Sequence, residues 1–194
     1  MRPLERLALL SSAMLVLALP GTASAETDQT SVALTAGALS FTAAPTADNF
    51  ADTALTGATQ TITTNFNDWR VNDARGSGAG WNVTMQASQF SDGAATPKTL
   101  PTGSLKLKAP VVSKVDLLNP ALPPIVTTSP APPWTIDGGS AVKVVSAAAG
   151  TGQGEWNFDH ANLVASKDLE LTVPANAAAA TYTSTITSTL GVSP

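Results

Sequence analysis

The chain has 194 residues, no cysteine, a single histidine, 5% aromatic and 12% charged residues, and a formal net charge of −4. That length holds one domain with a sizeable core, and 43% apolar residues with so little charge is unlike the highly charged form of disorder. Zero cysteines exclude a disulfide scaffold, a thiol nucleophile, a cysteine-ligated zinc and an iron–sulfur cluster; one histidine leaves almost no room for a multi-histidine metal centre, and the acidic balance argues against nucleic acid.

Residues 1–25 read as an address. Arg2 and Arg6 precede an uncharged run from Leu7 to Leu19, Pro20-Gly21 breaks it, and Ala23-Ser24-Ala25 supplies a small-x-small cleavage pattern. These parts make a secretory signal peptide cut after Ala25. The 13-residue run is too short to cross ~30 Å of hydrocarbon. Losing Arg2, Glu5 and Arg6 leaves 8 basic and 13 acidic residues in 26–194. No later stretch is long and apolar enough to insert in a membrane as a helix. Leu100-Pro101-Thr102-Gly103 lacks the spacer of a sortase signal, and there is no cysteine to acylate. The expectation is a secreted protein, extracellular or wall-associated, without a covalent anchor.

Residues 26–194 read as a single β domain, because period-2 alternation dominates and sustained helical periodicity is missing. Val32 to Phe41 and Thr59 to Phe66 are the first expected strands. Trp81, Val83, Met85 and Ala87 alternate with polar residues, as do Leu105, Leu107 and Ala109, then Val142 and Val144, then Leu169, Leu171 and Val173. At the C-terminus Tyr182, Ser184, Ile186, Ser188, Leu190 and Val192 share one face while threonines fill the other. Threonine suits the wet side of a strand. Glycine-containing turns separate these runs, and Gly76 to Gly80 reads as a hairpin connection. Asn119 to Trp134 carries six prolines, so 119–134 is expected as an extended surface loop. Ala175 to Ala180 has room for one helical turn. The fold class is all-β: an antiparallel sandwich of immunoglobulin-like, Greek-key type with long surface loops.

Two segments carry a resemblance. In Trp69-Arg70-Val71-Asn72-Asp73-Ala74-Arg75, followed by Gly76 to Gly80 and Trp81-Asn82-Val83, a strand ends at Asp73 and restarts with Gly-Trp-x-Val. Near the C-terminus Leu171-Thr172-Val173-Pro174 is followed by the strand from Tyr182 to Leu190. These segments resemble the proximal and distal motifs of the WxL family of bacterial surface proteins. Val83 replaces a leucine in the first, and Ser188 stands where the second has tryptophan. The resemblance implies a secreted domain attached non-covalently to a Gram-positive-type wall, through peptidoglycan, and does not imply catalysis. Its partners would be wall glycan and another surface protein; assembly with the latter is the alternative function.

The resemblance nominates Trp81 for wall binding, but its phase with Val83 and Met85 points it inward, as a core tryptophan between sheets. Ser188 falls on the same apolar side as Ile186 and Leu190. The volume of the missing ring would then be taken up by Trp69, Trp134 or Trp156. Trp134, after Pro132-Pro133, and Trp156, after a glycine-rich stretch, each either present a ring to a sugar or pin a loop to the core. His160 beside Asp159 reads as a surface pair, since no serine elbow accompanies it. The carboxylates of Asp68, Asp73, Asp92, Glu155 and Asp159 lack calcium-loop spacing. No cofactor, metal or catalytic residue is expected. Hydroxyl-rich faces suit neutral contacts with glycan.

Overall fold

Alternating apolar and polar side chains dictate strands here, and the computed structural model describes them over residues 26–127, 129–160 and 167–192. The expected signal peptide, 1–25, lies outside the described residues. Residues 26–34 contain no strand or helix, and Val32 and Leu34 are exposed. The first expected strand therefore starts later, as β1, Leu39–Ala43.

Eleven more strands follow: β2 Gln60–Thr64, β3 Trp69–Asp73, β4 Trp81–Ala87, β5 Leu105–Leu107, β6 Val111–Lys114, β7 Ile125–Val126, β8 Trp134–Thr135, β9 Val142–Ala147, β10 Gly154–Asp159, β11 Leu169–Val173 and β12 Ile186–Gly191. The described residues contain no helix. The strands form three four-stranded sheets, ordered β1-β3-β10-β6, β2-β11-β5-β8 and β12-β4-β9-β7. Every strand pair is antiparallel.

The alternation is transcribed directly into burial on β4, where Trp81, Val83, Met85 and Ala87 are buried and the residues between them half-buried. Leu169, Leu171 and Val173 of β11 do the same. On β9 the period slips. A bulge opposite Val83 and Thr84 breaks the register, so Val144 and Val145 are both buried. One extra residue in a strand turns consecutive side chains to the same region.

Gly76 to Gly80 is not a hairpin. Strand β3 is already paired on both edges, by β1 and β10. The chain therefore has to leave the first sheet to continue, and β4 enters the third. The proline-rich segment also differs from a plain loop, for it contributes β7 and the start of β8, each two residues long. Both stand at the outer edge of a sheet, where proline's missing N–H removes no ladder bond. Residues 175–180 form a turn, closed by the Ala177 N–H donating to Pro174 O at 3.1 Å, and not a helical segment.

Aromatic rings tie the first and third sheets. Trp69 stacks on Phe158 with centroids 3.9 Å apart and planes at 12°. Phe158 in turn meets Trp81 edge-on at 6.2 Å, and Phe41 meets Trp69 at 6.1 Å. Such pairs add about 1 kcal/mol each beyond area burial.

Candidate functional site

The first motif region is built around a buried carboxylate. Asp73 ends β3 and is 3% exposed. Two residues on, the Arg75 guanidinium closes on it with a two-pronged contact, Nε to Oδ1 at 2.8 Å and Nη2 to Oδ2 at 2.9 Å. Nη2 also donates to Gly80 O at 2.8 Å. That clasp fixes both ends of the glycine-rich connection. The hydrogen bonds from Arg75 hold the Asp73 carboxyl below its usual range, although burial works the other way.

Gly80 is followed by Trp81, whose indole N–H donates to Gly152 O at 3.0 Å. Gly152 has φ 68°, and a Cβ there would lie 2.5 Å from the Ala147 Cβ and 2.9 Å from the Trp81 indole nitrogen. The glycine-rich segments 76–80 and 150–154 thus pack against each other, joined also by Gly150 N–H to Gly78 O at 2.8 Å. Trp81 is 0% exposed and serves as the post on which both loops close.

The other three tryptophans are equally enclosed. Trp134 and Trp156 are each 1% exposed, so neither ring is open to a sugar. Their N–H groups donate to Pro130 O and Gln153 O, both at 3.0 Å. Each pins the loop beside it. Ser188 is half-buried opposite Met85, and Leu190 is half-buried opposite Val83. Neither is on the wet face, which Thr187 and Thr189 occupy. Trp69 and Trp156 belong to the first sheet and Trp134 to the second. Their ring contacts and indole hydrogen bonds run to Phe41, Phe158, His160, Pro130, Gln153 and Lys114. Val192, expected on the apolar side, is exposed just beyond β12.

His160 is not a surface residue. It is 2% exposed, its backbone N–H donates to Asp68 Oδ1 at 2.8 Å, and its ring Nε2 accepts the Trp69 indole N–H at 3.3 Å. An imidazole nitrogen that accepts is unprotonated, so the neutral ring carries its proton on Nδ1. Nδ1 faces Asp168 Oδ1 at 3.7 Å, too far for a hydrogen bond. Burial pushes His160 down to about 4, against the charges of Asp68 and Asp159. Burial also raises the Asp168 carboxyl; Lys108 opposes this and Asp68 and Asp159 add to it. Asp168 carried no sequence signal, since its partner lies eight positions away along the chain.

A groove of about 1200 Å³ lies over the second sheet, between residues 45–55 and 177–184. Its floor includes Ile62, Leu105, Leu171 and Val173, and its walls carry Thr46, Thr53, Thr181 and Thr183. Four aromatic rings line it: Phe66 and Phe90 are buried, and Phe50 and Tyr182 are half-buried. Phe50 is braced edge-on against Phe90 at 6.2 Å, and the Tyr182 hydroxyl donates to Ala178 O at 2.8 Å. Tyr182, expected in a strand running to Leu190, lies ahead of β12, which begins only at Ile186; Phe50 carried no signal, because 45–55 has no alternation and its neighbours are distant in sequence. Among the described residues no group of three or more His, Cys, Asp or Glu could hold a metal ion. No described helix is long and apolar enough to cross a membrane.

These features define an all-β scaffold whose tryptophans build the interior and whose open concavity is lined by hydroxyls and four smaller rings, two of them half-buried. The family model of the WxL domain, a surface cell wall-binding domain, matches residues 20–194, and the chain belongs to that family. No curated protein and no solved structure gives a significant match.

Proposed function

We propose that the protein is secreted through residues 1–25 and attaches non-covalently to wall glycan, with peptidoglycan held in the groove between residues 45–55 and 177–184. The observation that carries this reading is the groove itself: about 1200 Å³ with an apolar floor and threonine-rich walls. A sugar ring presents an apolar face and a girdle of hydroxyls, and this lining answers both. Family membership supplies the wall as the target; the burial of all four indoles turns attention from the tryptophans to Tyr182 and Phe50. The edge-on contact of Phe158 with Trp81 joins the first and third sheets and supports a layered, sandwich-like fold, for which the immunoglobulin-like, Greek-key type is part of the proposal.

The reading is of a binding protein without catalysis. His160 is buried and its Nε2 is engaged by Trp69, so the single imidazole has no free basic nitrogen to offer a substrate. The test is co-sedimentation with purified peptidoglycan stripped of attached polymers. The protein pellets, Tyr182→Phe pellets equally, and Tyr182→Ala loses affinity severalfold, as the removal of a ring contact worth about 1 kcal/mol requires. Leu55 is exposed in the groove lining, and Leu55→Asp sets a charge there; wild-type protein left in the supernatant, or Tyr182→Ala and Leu55→Asp pelleting like wild type, overturns the assignment.

A further inference from the structure

Strand β6 closes one side of the first sheet, and its outer row of backbone groups is not covered by another described strand. Which groups these are follows from register. Lys114 lies opposite Trp156 and Val112 opposite Phe158, while Val115 N–H donates to Glu155 O. In an antiparallel ladder hydrogen-bonded and non-hydrogen-bonded pairs alternate. The odd residues of β6 therefore bond to β10, and the N–H and C=O of Val112 and Lys114 point to the open side.

Natural edges are guarded by charge, above all by lysine. This one is not. The Lys114 ammonium turns back to donate to Asn119 O at 2.7 Å and sits 5.8 Å from the centre of the Trp156 ring. Asp116 is used locally, its Oδ1 accepting the Leu118 N–H at 2.9 Å. Meanwhile Val111 and Val115 are exposed, and Leu117 and Leu118 are 86% and 90% exposed. An aliphatic strip of this kind on a sheet edge marks an interaction surface.

We infer that β6 is the site of self-association, pairing antiparallel with β6 of a second copy about a two-fold axis at Ser113. In that register all four open backbone groups of the strand are satisfied by the same strand of the second copy. Val112 faces Lys114 of the other copy, and the two pairs exchange their four open backbone hydrogen bonds. On the exposed face Val111 meets Val115 of the other copy, twice, with Ser113 against Ser113 between them. Pro110, which has no N–H, ends the pairing on one side. A two-fold interface places the same patch on both subunits, and a palindromic face of two valines around a serine meets that condition. The result is one eight-stranded sheet across the dimer.

The absence of cysteine gives a clean test. Ser113→Cys puts a single thiol on the axis, where the facing Cα atoms of a non-hydrogen-bonded pair lie ~4.5 Å apart, within disulfide reach. Under mild oxidation this variant forms a covalent dimer at least tenfold faster than Thr189→Cys, whose thiol stands on the exposed face of β12, another edge strand. In sedimentation equilibrium the wild-type mass rises toward two chains with concentration, while Ser113→Lys, which sets two ammonium groups face to face, stays at one. Circular dichroism confirms that both Ser113 variants are folded. A wild-type mass fixed at one chain, association unchanged in Ser113→Lys, or equal cross-linking of the two cysteine variants overturns the inference.

Discussion

Replacing His160 by Gln isolates one buried proton equilibrium. Glutamine keeps an acceptor for the Trp69 indole but does not titrate. In the native protein burial holds His160 at about 4, against 6.5 when unperturbed. The folded ring is therefore neutral at pH values where the unfolded ring takes up a proton. Stability from this group is complete above pH 6.5 and is lost as pH falls toward 4; below that both states are protonated and nothing more is lost. The fall from 6.5 to about 4 corresponds to roughly 3 kcal/mol over the whole window. Asp168 acts in the opposite sense, since its raised carboxyl binds a proton more readily in the folded state, and it offsets part of the loss. Urea unfolding followed by circular dichroism, run at about pH 7 and about pH 4.5, gives the comparison. The wild type loses about 2 kcal/mol more than His160→Gln between those conditions. Parallel losses in the two proteins refute the claim that His160 is buried neutral.

Arg75→Met leaves the buried Asp73 carboxylate without its clasp and costs about 2–4 kcal/mol in urea unfolding at neutral pH. Because Arg75 holds that carboxyl below its usual range, the clasp's contribution is present above about pH 4 and is lost as the pH drops further. Gly152→Ala adds a clash with Ala147 and Trp81 to an unfavourable φ and lowers stability by about 2–4 kcal/mol. Gly93→Ala, with a similar φ of 67° but open space around it, costs only about 1 kcal/mol; equal thermal shifts for the two variants would remove the packing argument. Trp81→Ala costs about 3–5 kcal/mol and reduces wall binding only in proportion to the unfolded fraction.

Much of the scaffold was legible because strands write their burial into alternate residues. Trp81 to Ala87 and Leu169 to Val173 announced both their conformation and their inner face. The inward phase of Trp81 was readable in the same way. What could not be read depended on events outside the local period. The bulge in β9 exchanged the expected Val142 for Val145 in the core. The crossing from β3 to β4 followed from the occupation of both edges of β3, a property of the sheet and not of Gly76 to Gly80. Trp134 sits in a proline-rich segment with no clear periodicity, so its burial had no sequence signal beyond its size, whereas Trp156 and Phe158 alternate with Glu155, Asn157 and Asp159 in β10, a strand absent from the expected set. The groove was least legible of all, since β2, β5 and β11 supply its floor while its walls come from residues 45–55, which have no alternation, and from 177–184, far away in sequence.

The enclosure of every indole has a consequence for how the molecule can be watched. Tryptophan emission here comes from Trp69, Trp81, Trp134 and Trp156, all within the packed interior. Its wavelength therefore reports the integrity of the core and shifts to the red only when the chain opens. A saccharide entering the groove would touch Tyr182, the lone tyrosine, and leave the indoles in their surroundings. Quenching of tryptophan light by a wall fragment would then signal unfolding, and a ligand that binds the intact protein would leave that light unchanged.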